Sequence, residues 1–154
     1  MTPQVPEGEK FEYFQAMRPL SLEELPAAVP FKVFVPAGLS RWPAAALVRN
    51  PEPRRGIPFS AVISYLGPKP SGEHANLMIH ESAGPDQAPP LPTEEWGQVD
   101  GFSVATDRST GHLRCKLVLE REGTCVRLES TDMALHELID LARSLVPVRR
   151  GTTS

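Results

Sequence analysis

The sequence predicts an α+β fold: an antiparallel meander sheet of about six strands, with a short N-terminal helix and a C-terminal helix packed on one face. Several segments alternate apolar and polar residues, as half-buried strands do, and short turn-like segments join them. The 17 prolines among 154 residues argue against an all-helical protein, and a hydrophobic fraction of 40% is sufficient for one core.

Residues 21–148 are therefore interpreted as a single domain, with an N-terminal extension (1–20) and a flexible tail (149–154). The extension contains an aromatic cluster, Phe11, Tyr13 and Phe14, which would be costly to leave exposed. We expect this cluster to dock on the domain or on a second copy of the chain.

The domain begins with a helix signal. Ser21 and Glu24 have the spacing of a capping box, which predicts a helix over residues 22–28 that stops before Pro30. An extended apolar run follows at residues 31–35.

The middle of the chain predicts strands separated by turn signals. The segment 98–106 is interrupted at Asp100-Gly101 by a turn or bulge. The proline-rich residues 83–93 are interpreted as a weakly ordered linker. Alternating patterns predict strands at residues 42–50, 59–66, 75–82 and 98–106.

The last third predicts a hairpin of residues 113–120 and 124–130. A two-residue loop at Glu122-Gly123 places Leu119 opposite Val126, and a four-residue loop keeps the same matching of faces. A three-residue loop would turn apolar residues toward polar ones, because a slip of one residue reverses every side chain. The apolar pattern therefore excludes the three-residue loop.

A terminal helix follows the hairpin. Asp132 is predicted to cap its first turn, and Pro147 is predicted to end it. An apolar stripe at helical spacing must be buried against the sheet. Its members are Leu135, Leu138, Ile139, Ala142, Leu145 and Val146.

The net charge and the two cysteines indicate which classes of partner and which cellular compartment we expect. The net charge is -3 and no long basic run occurs, so a nucleic-acid partner is not expected. No stretch has the length of a membrane span, and residues 1–10 lack the apolar core of a secretory signal, so we predict a cytoplasmic location. Cys115 and Cys125 fall on opposite faces of the hairpin, which predicts two free thiols.

Short patterns along residues 29–147 also suggest a family. They are residues 30–36 (PFKVFVP), 62–65 (VISY), 77–82 (LMIHES), 99–101 (VDG), 117–123 (LVLEREG) and 138–145 (LIDLARSL). In their order, the chain resembles a bacterial domain of unknown function found at the C-terminal end of many anti-sigma-factor-like and extracytoplasmic proteins of Gram-positive bacteria.

The resemblance implies a curved, half-barrel sheet similar to lipoprotein-carrier and sigma-regulator sensor domains. It implies a binding or sensing role and brings no catalytic residues with it. The sequence departs from the family pattern because it shows neither a membrane segment nor a signal, whereas such domains usually sit outside the membrane.

Candidate catalytic and metal-binding residues are few. His80 and Ser82 share a strand face, but no Gly-rich elbow surrounds Ser82, and Glu81 points to the opposite face. His74 and His80 are too far apart along one strand to hold a single metal ion. His136 and Asp140 can meet on the last helix, but two ligands do not make a metal site. No metal site and no cofactor are predicted.

Three functions remain open. The favoured hypothesis is a non-enzymatic binding or protein-interaction domain, including a regulatory one, that uses an exposed sheet face, a shared sheet edge or self-association. The first alternative is a carrier or sensor of a small apolar ligand or lipid, with a cavity between sheet and helix lined by Tyr65, Trp96, Ile63 and Leu138. The second alternative is a small hydrolase that uses His80 or Cys125.

Overall fold

The structure is a computed structural model that describes residues 17–52, 54, 56, 59–69, 72–84, 94–107 and 114–149. The predicted linker, the aromatic cluster and the C-terminal tail lie wholly or mostly outside these residues. The described residues form two α-helices, α1 (Leu25–Ala28) and α2 (Leu135–Arg143), a 3-10 turn (Ala37–Leu39), and strands β1 (Met17–Leu20), β2 (Phe34–Pro36), β3 (Ala44–Arg49), β4 (Ser60–Pro68), β5 (His74–Ala83), β6 (Glu94–Val99), β7 (Phe102–Asp107), β8 (Arg114–Arg121), β9 (Thr124–Ser130) and β10 (Leu145–Pro147).

Eight of these strands form one antiparallel sheet in the order β1-β3-β4-β5-β9-β8-β7-β6, and β2 pairs with β10 in a second, small sheet. The α+β class is confirmed, but the prediction of about six strands was wrong. The two additional strands have separate origins. One is β1, and the other arises because the region predicted as a single strand, 98–106, belongs to two strands, β6 and β7. Asp100 and Gly101 both have positive φ, 52° and 85°, and form the turn between β6 and β7.

The sheet is also not a simple meander. The neighbour of β5 is β9 and not β6. The strands β6, β7, β8 and β9 therefore follow β5 in reverse order, with β9 beside β5 and β6 at the edge of the sheet. Sequence periodicity defines each strand locally but carries no information about which distant strand completes a pair. The strand β5 is therefore central, and β1 and β6 are the two edges.

The closing hairpin agrees with the prediction. Arg121 pairs with Thr124 across a two-residue loop, and Leu119 lies opposite Val126. Glu122 and Gly123 have φ of 50° and 86°, which is the left-handed conformation that such a turn requires.

The first helix is shorter than predicted although its capping box is present. The Ser21 backbone N–H donates to the Glu24 carboxylate at 3.1 Å, and the Glu24 N–H donates to the Ser21 hydroxyl at 3.2 Å. Regular helix begins only at Leu25, after a turn, and Pro lies in its first positions. The bonds therefore fix the entry of the chain into α1.

The last helix differs from the prediction at both ends. Asp132 is not its cap: the Asp132 carboxylate accepts a hydrogen bond from the Asn76 backbone N–H, and Glu137 accepts one from the Ala134 N–H. Leu145 and Val146 do not continue the helix but form β10 with β2. The apolar spacing of Leu145 and Val146 is compatible with a helix, but these residues form a strand because they pair with β2.

The core lies between one face of the large sheet and a layer made by α2 and β2. Residues of every central strand contribute to it, and Leu138 and Ala142 of α2 are completely buried against them. Both cysteines are free, as predicted. In the part of the chain that the structure describes, no helix is both long and apolar enough to cross a membrane.

Candidate functional site

The large sheet has two chemically different faces. The core face is the one turned toward α2, and it carries Ile63, Ile79 and Leu128. The face turned away from α2 is called the outer face. Cross-strand pairing places Glu129, Lys116, Ala105 and Trp96 in one row across it, at the end of the sheet that β6 closes.

The structure brings together three of the four predicted ligand-binding residues. Ile63 and Leu138 are 0% exposed and Tyr65 is 3% exposed, and all three belong to one packed core cluster. Tyr65 also lines a shallow groove of about 310 Å³ between β3, β4 and β5. Trp96 lies elsewhere, 44% exposed on β6, because its pairing with Ala105 directs it to the outer face.

The grooves on the outer face are shallow and mixed in character. The groove beside Tyr65 includes Leu66, which is 58% exposed, and Asn76. A second groove of about 230 Å³ also reaches Asn76 and is lined by Met78 and Arg114 among others. The second groove also includes Glu129 and Ser130, and the Ser130 hydroxyl donates to the Asn76 carbonyl at 2.6 Å.

The sheet separates Glu81 from the candidate residues His80, Ser82 and Cys125, which share the outer face. Glu81 pairs with Val126 on the core face and is 1% exposed, whereas His80 pairs with Arg127 on the outer face. Cys125 is 7% exposed on the outer face. Among the residues described, no group of three or more His, Cys, Asp or Glu side chains could hold a metal ion.

Glu81 is a buried carboxyl that sequence reasoning placed correctly on the other face from His80 but did not recognise as unusual. One of its oxygens accepts a hydrogen bond from the Phe34 backbone N–H at 2.7 Å, and the other has no hydrogen-bond partner. Burial raises the pKa of Glu81 to about 8, an effect that the Phe34 N–H opposes in part. Burial together with the charge on Glu81 raises the pKa of Tyr65 to about 12.

The most distinctive surface of the described residues is the far edge of β6, with which no described strand pairs. Every residue of β6 after Glu94 is exposed. Trp96 and Val99, at 44% and 38% exposure, present large apolar side chains there. Edge strands of soluble proteins are usually protected by Pro, charged side chains, a bulge or a covering segment. β6 contains no Pro, and its two charged residues, Glu94 and Glu95, occupy only its first two positions.

The hydrogen-bonding groups of this edge follow from the hairpin geometry. Val99 and Phe102 flank a two-residue turn, so they form a hydrogen-bonded pair, and such pairs alternate along the strand. Residues 99, 97 and 95 therefore direct their backbone groups toward β7. The N–H and C=O groups of Glu94, Trp96 and Gln98 point to the free side.

Local contacts hold this edge in place. The Trp96 indole N–H donates to one Glu94 oxygen at 3.1 Å, and the Lys116 ammonium bonds to the other Glu94 oxygen. At the turn, Arg143 of α2 donates to the Asp100 carboxylate at 2.9 Å. The edge is thus held at its first residue by β8, and the exposed Arg143–Asp100 pair adds a weaker contact at the turn that follows it.

The opposite edge, β1, is different. It has four residues, against six in β6, and it contains Pro19 and Arg18. Proline lacks the N–H that a pairing strand needs, and an edge charge discourages pairing. The sequence does not predict this contrast between the two edges. Residues 17–20 fall in the predicted N-terminal extension, and β6 and β7 are not predicted as two separate strands.

Comparisons with known proteins leave the site to be interpreted from its own geometry. No family model, no curated protein and no solved structure matches the chain. The resemblance drawn from short patterns stays a prediction.

Proposed function

We propose that the chain is a non-enzymatic protein-interaction domain that binds an extended protein segment by adding it as a strand to β6. The observation that carries the proposal is the edge of β6, which no described strand covers. It has six residues without Pro, it is uncharged after Glu95, and Trp96 and Val99 are exposed on it. Strand addition uses backbone hydrogen bonds for affinity and alternate side chains for specificity.

The outer face supports this proposal because it supplies contacts next to the edge. The indole hydrogen bond to Glu94 holds Trp96 beside the Glu94 and Lys116 pair, so an added strand meets this side chain at a defined position. On the core face the side chain of Val99 is the exposed neighbour of the added strand. Aromatic and β-branched residues at alternate positions of the segment fit these two surfaces.

A peptide-display experiment tests the proposal. A library of random extended peptides is selected on the immobilised chain, and the enriched peptides are then measured on two variants. Gln98→Pro removes one outward N–H but keeps every bond to β7, since edge positions tolerate proline where the N–H faces outward. Gln98→Ala is the matched control, because it keeps that N–H.

We expect peptides that bind the parent chain and Gln98→Ala with similar affinity and bind Gln98→Pro at least tenfold more weakly. Hydrogen exchange should slow at the amides of Trp96 and Gln98 when peptide is bound and stay unchanged in β1. Equal binding to Gln98→Pro, or no enriched peptide at all, would show that the edge is not a binding site for peptides.

A further inference from the structure

We infer that the segment which fits this edge is β6 of a second copy of the chain, paired antiparallel about a two-fold axis through Trp96. The inference rests on the proposed function, since it names the partner of the same edge. Pairing of this kind joins the two eight-stranded sheets into one continuous sheet.

The positions of the outward backbone groups select the register. A two-fold axis perpendicular to the sheet keeps the core faces of both copies on one side, so residues of the same strand parity must face each other. With the axis at Trp96, Glu94 lies opposite Gln98 of the second copy and Trp96 lies opposite Trp96. All three outward residues of each strand are then paired. An axis at Gly97 would pair only two of them.

The charges of β6 are compatible with antiparallel self-pairing and not with parallel self-pairing. Both glutamates stand in the first half of the strand, and its second half is uncharged. Antiparallel pairing about Trp96 therefore places Glu95 opposite Gly97 of the second copy. An in-register parallel arrangement would set each glutamate against its equivalent, which is unfavourable.

The shape of the edge agrees with this register. No atom of the described residues lies within 4 Å of the position that a Cβ on Gly97 would occupy, so these residues leave room on the core face for Glu95 of the second copy. On the outer face the two Trp96 side chains become direct cross-strand neighbours, and aromatic pairs in this position stabilise antiparallel sheets. Each copy thus buries an apolar side chain that is 44% exposed in the single chain.

The size of the contact sets the strength of the dimer. Two strands of six residues bury far less than the roughly 1,600 Å² of a standard protein interface. The contacts of Glu94 with Trp96 and Lys116 hold the start of the edge in place, which reduces the ordering that opposes association. We expect a concentration-dependent dimer with a dissociation constant in the micromolar range.

Sedimentation equilibrium over a range of protein concentrations tests the dimer. The parent chain and Gln98→Ala should dimerise alike, and Gln98→Pro should dimerise at least tenfold more weakly. Trp96→Lys, which keeps the backbone groups and adds a repelling charge, should also be monomeric. Circular dichroism checks that each variant is folded. A parent chain that stays monomeric up to millimolar concentration, or variants that dimerise like the parent, would overturn the inference.

Cysteine cross-linking tests the register. Single cysteines are placed at positions 95, 96 and 97, and disulfide formation is followed under mild oxidation. The native Cys115 and Cys125 are buried, so the parent chain gives the background. Arg18→Cys on the other edge is the position control. The two-fold axis predicts a maximum at Trp96→Cys, because only that position faces itself within disulfide range. A maximum at Arg18→Cys, or equal cross-linking at all positions, contradicts the assignment.

The two proposals fail separately. Enriched peptides together with a monomeric parent chain would overturn only the second-copy inference. A dimer that depends on β6 without any enriched peptide supports the inference and restricts the interaction to self-association. Absence of both results would overturn both proposals.

Discussion

Glu81 and Glu94 are both buried glutamates, and they lie on opposite faces of the same sheet. Glu81 is 1% exposed on the core face and has one backbone N–H donor, from Phe34. The Glu94 side chain is 1% exposed on the outer face, where it bonds to the Lys116 ammonium and the Trp96 indole. Burial alone raises a carboxyl pKa, and a nearby cation favours the charged form. The two buried glutamates therefore differ in their partners: Glu81 has one backbone donor, whereas Glu94 has a cation and an indole N–H.

The largest expected effect comes from removing the partner of Glu94. Lys116→Met leaves a buried carboxylate without its cation, which should lower the free energy of unfolding by about 3–5 kcal/mol. Urea denaturation at pH 7 measures this loss. The control is the double variant Lys116→Met with Glu94→Gln, which should recover most of the stability. A single variant as stable as the parent would mean that the pair is not a buried ion pair in solution.

The pH dependence of the free energy of unfolding tests the role of Glu81 in this comparison. Its pKa is raised in the folded chain from 4.5 to about 8, so the folded state binds the proton more tightly than the unfolded state does. This contribution to stability is complete below pH 4.5 and is lost as the pH rises toward 8. The slope attributable to Glu81 can reach about 1.4 kcal/mol per pH unit.

Glu81→Gln removes this titration while keeping a group that can accept the Phe34 N–H. We expect the parent chain to lose stability relative to the variant as the pH rises through that window, measured by chemical denaturation at several pH values. Glu137→Gln gives a control of opposite sign. Burial acts to raise the pKa of Glu137, but the Ala134 N–H and Lys69 outweigh it and lower that pKa. Its stabilising effect is therefore lost as the pH falls. Parallel pH curves for the parent and Glu81→Gln would contradict the assignment.

A smaller effect is expected near Glu81, where a hydroxyl joins the sheet to the chain that enters β2. The Thr124 hydroxyl donates to the Lys32 carbonyl at 2.6 Å, and Thr124 is 0% exposed. Thr124→Val leaves this carbonyl without that donor and should lower the free energy of unfolding by about 1–2 kcal/mol. Thr124→Ser keeps the hydroxyl and is the matched control. Hydrogen exchange at the Phe34 amide should accelerate in the valine variant only, and unchanged exchange would show that the bond does not hold β2 in place.

The smallest effect is expected for a pair that is exposed. Arg143 and Asp100 are bonded at 2.9 Å, but their side chains are 56% and 54% exposed. Water and salt screen such pairs, so Arg143→Ala should lower the free energy of unfolding by less than about 1 kcal/mol, and high salt should remove the difference. A double-mutant cycle with Asp100→Asn isolates the pair. The Arg143–Asp100 pair should therefore have a much smaller coupling energy than the Lys116–Glu94 pair. Equal coupling energies would contradict the view that burial makes the Lys116–Glu94 pair the stronger one.

Local patterns predicted the parts of the fold that depend on neighbouring residues. The alternation in β4, β5 and the closing hairpin fixed which side chains face the core, since a strand has a period of two residues. The register of Leu119 with Val126 followed from that alternation and from Gly123, and the structure agrees. The burial of Ile63 and Leu138 could also be predicted from their apolar patterns. The same patterns do not show whether these residues line a ligand cavity or fill the core.

Long-range pairing decided the rest. Whether residues 145–147 continue a helix or form β10 depends on β2, more than a hundred residues earlier in the chain. The exposure of Trp96 depends on β6 being the last strand of the sheet, and Glu81 and Glu94 take their partners Phe34 and Lys116 from distant elements. The sequence by itself thus determined the central strands β3, β4 and β5, the closing hairpin with its turn, and the inward-facing residues of these strands, because these follow from local periodicity and turn chemistry. Only the tertiary structure decided which edge stays free and which buried charge is paired, because both depend on contacts between segments that no local pattern relates.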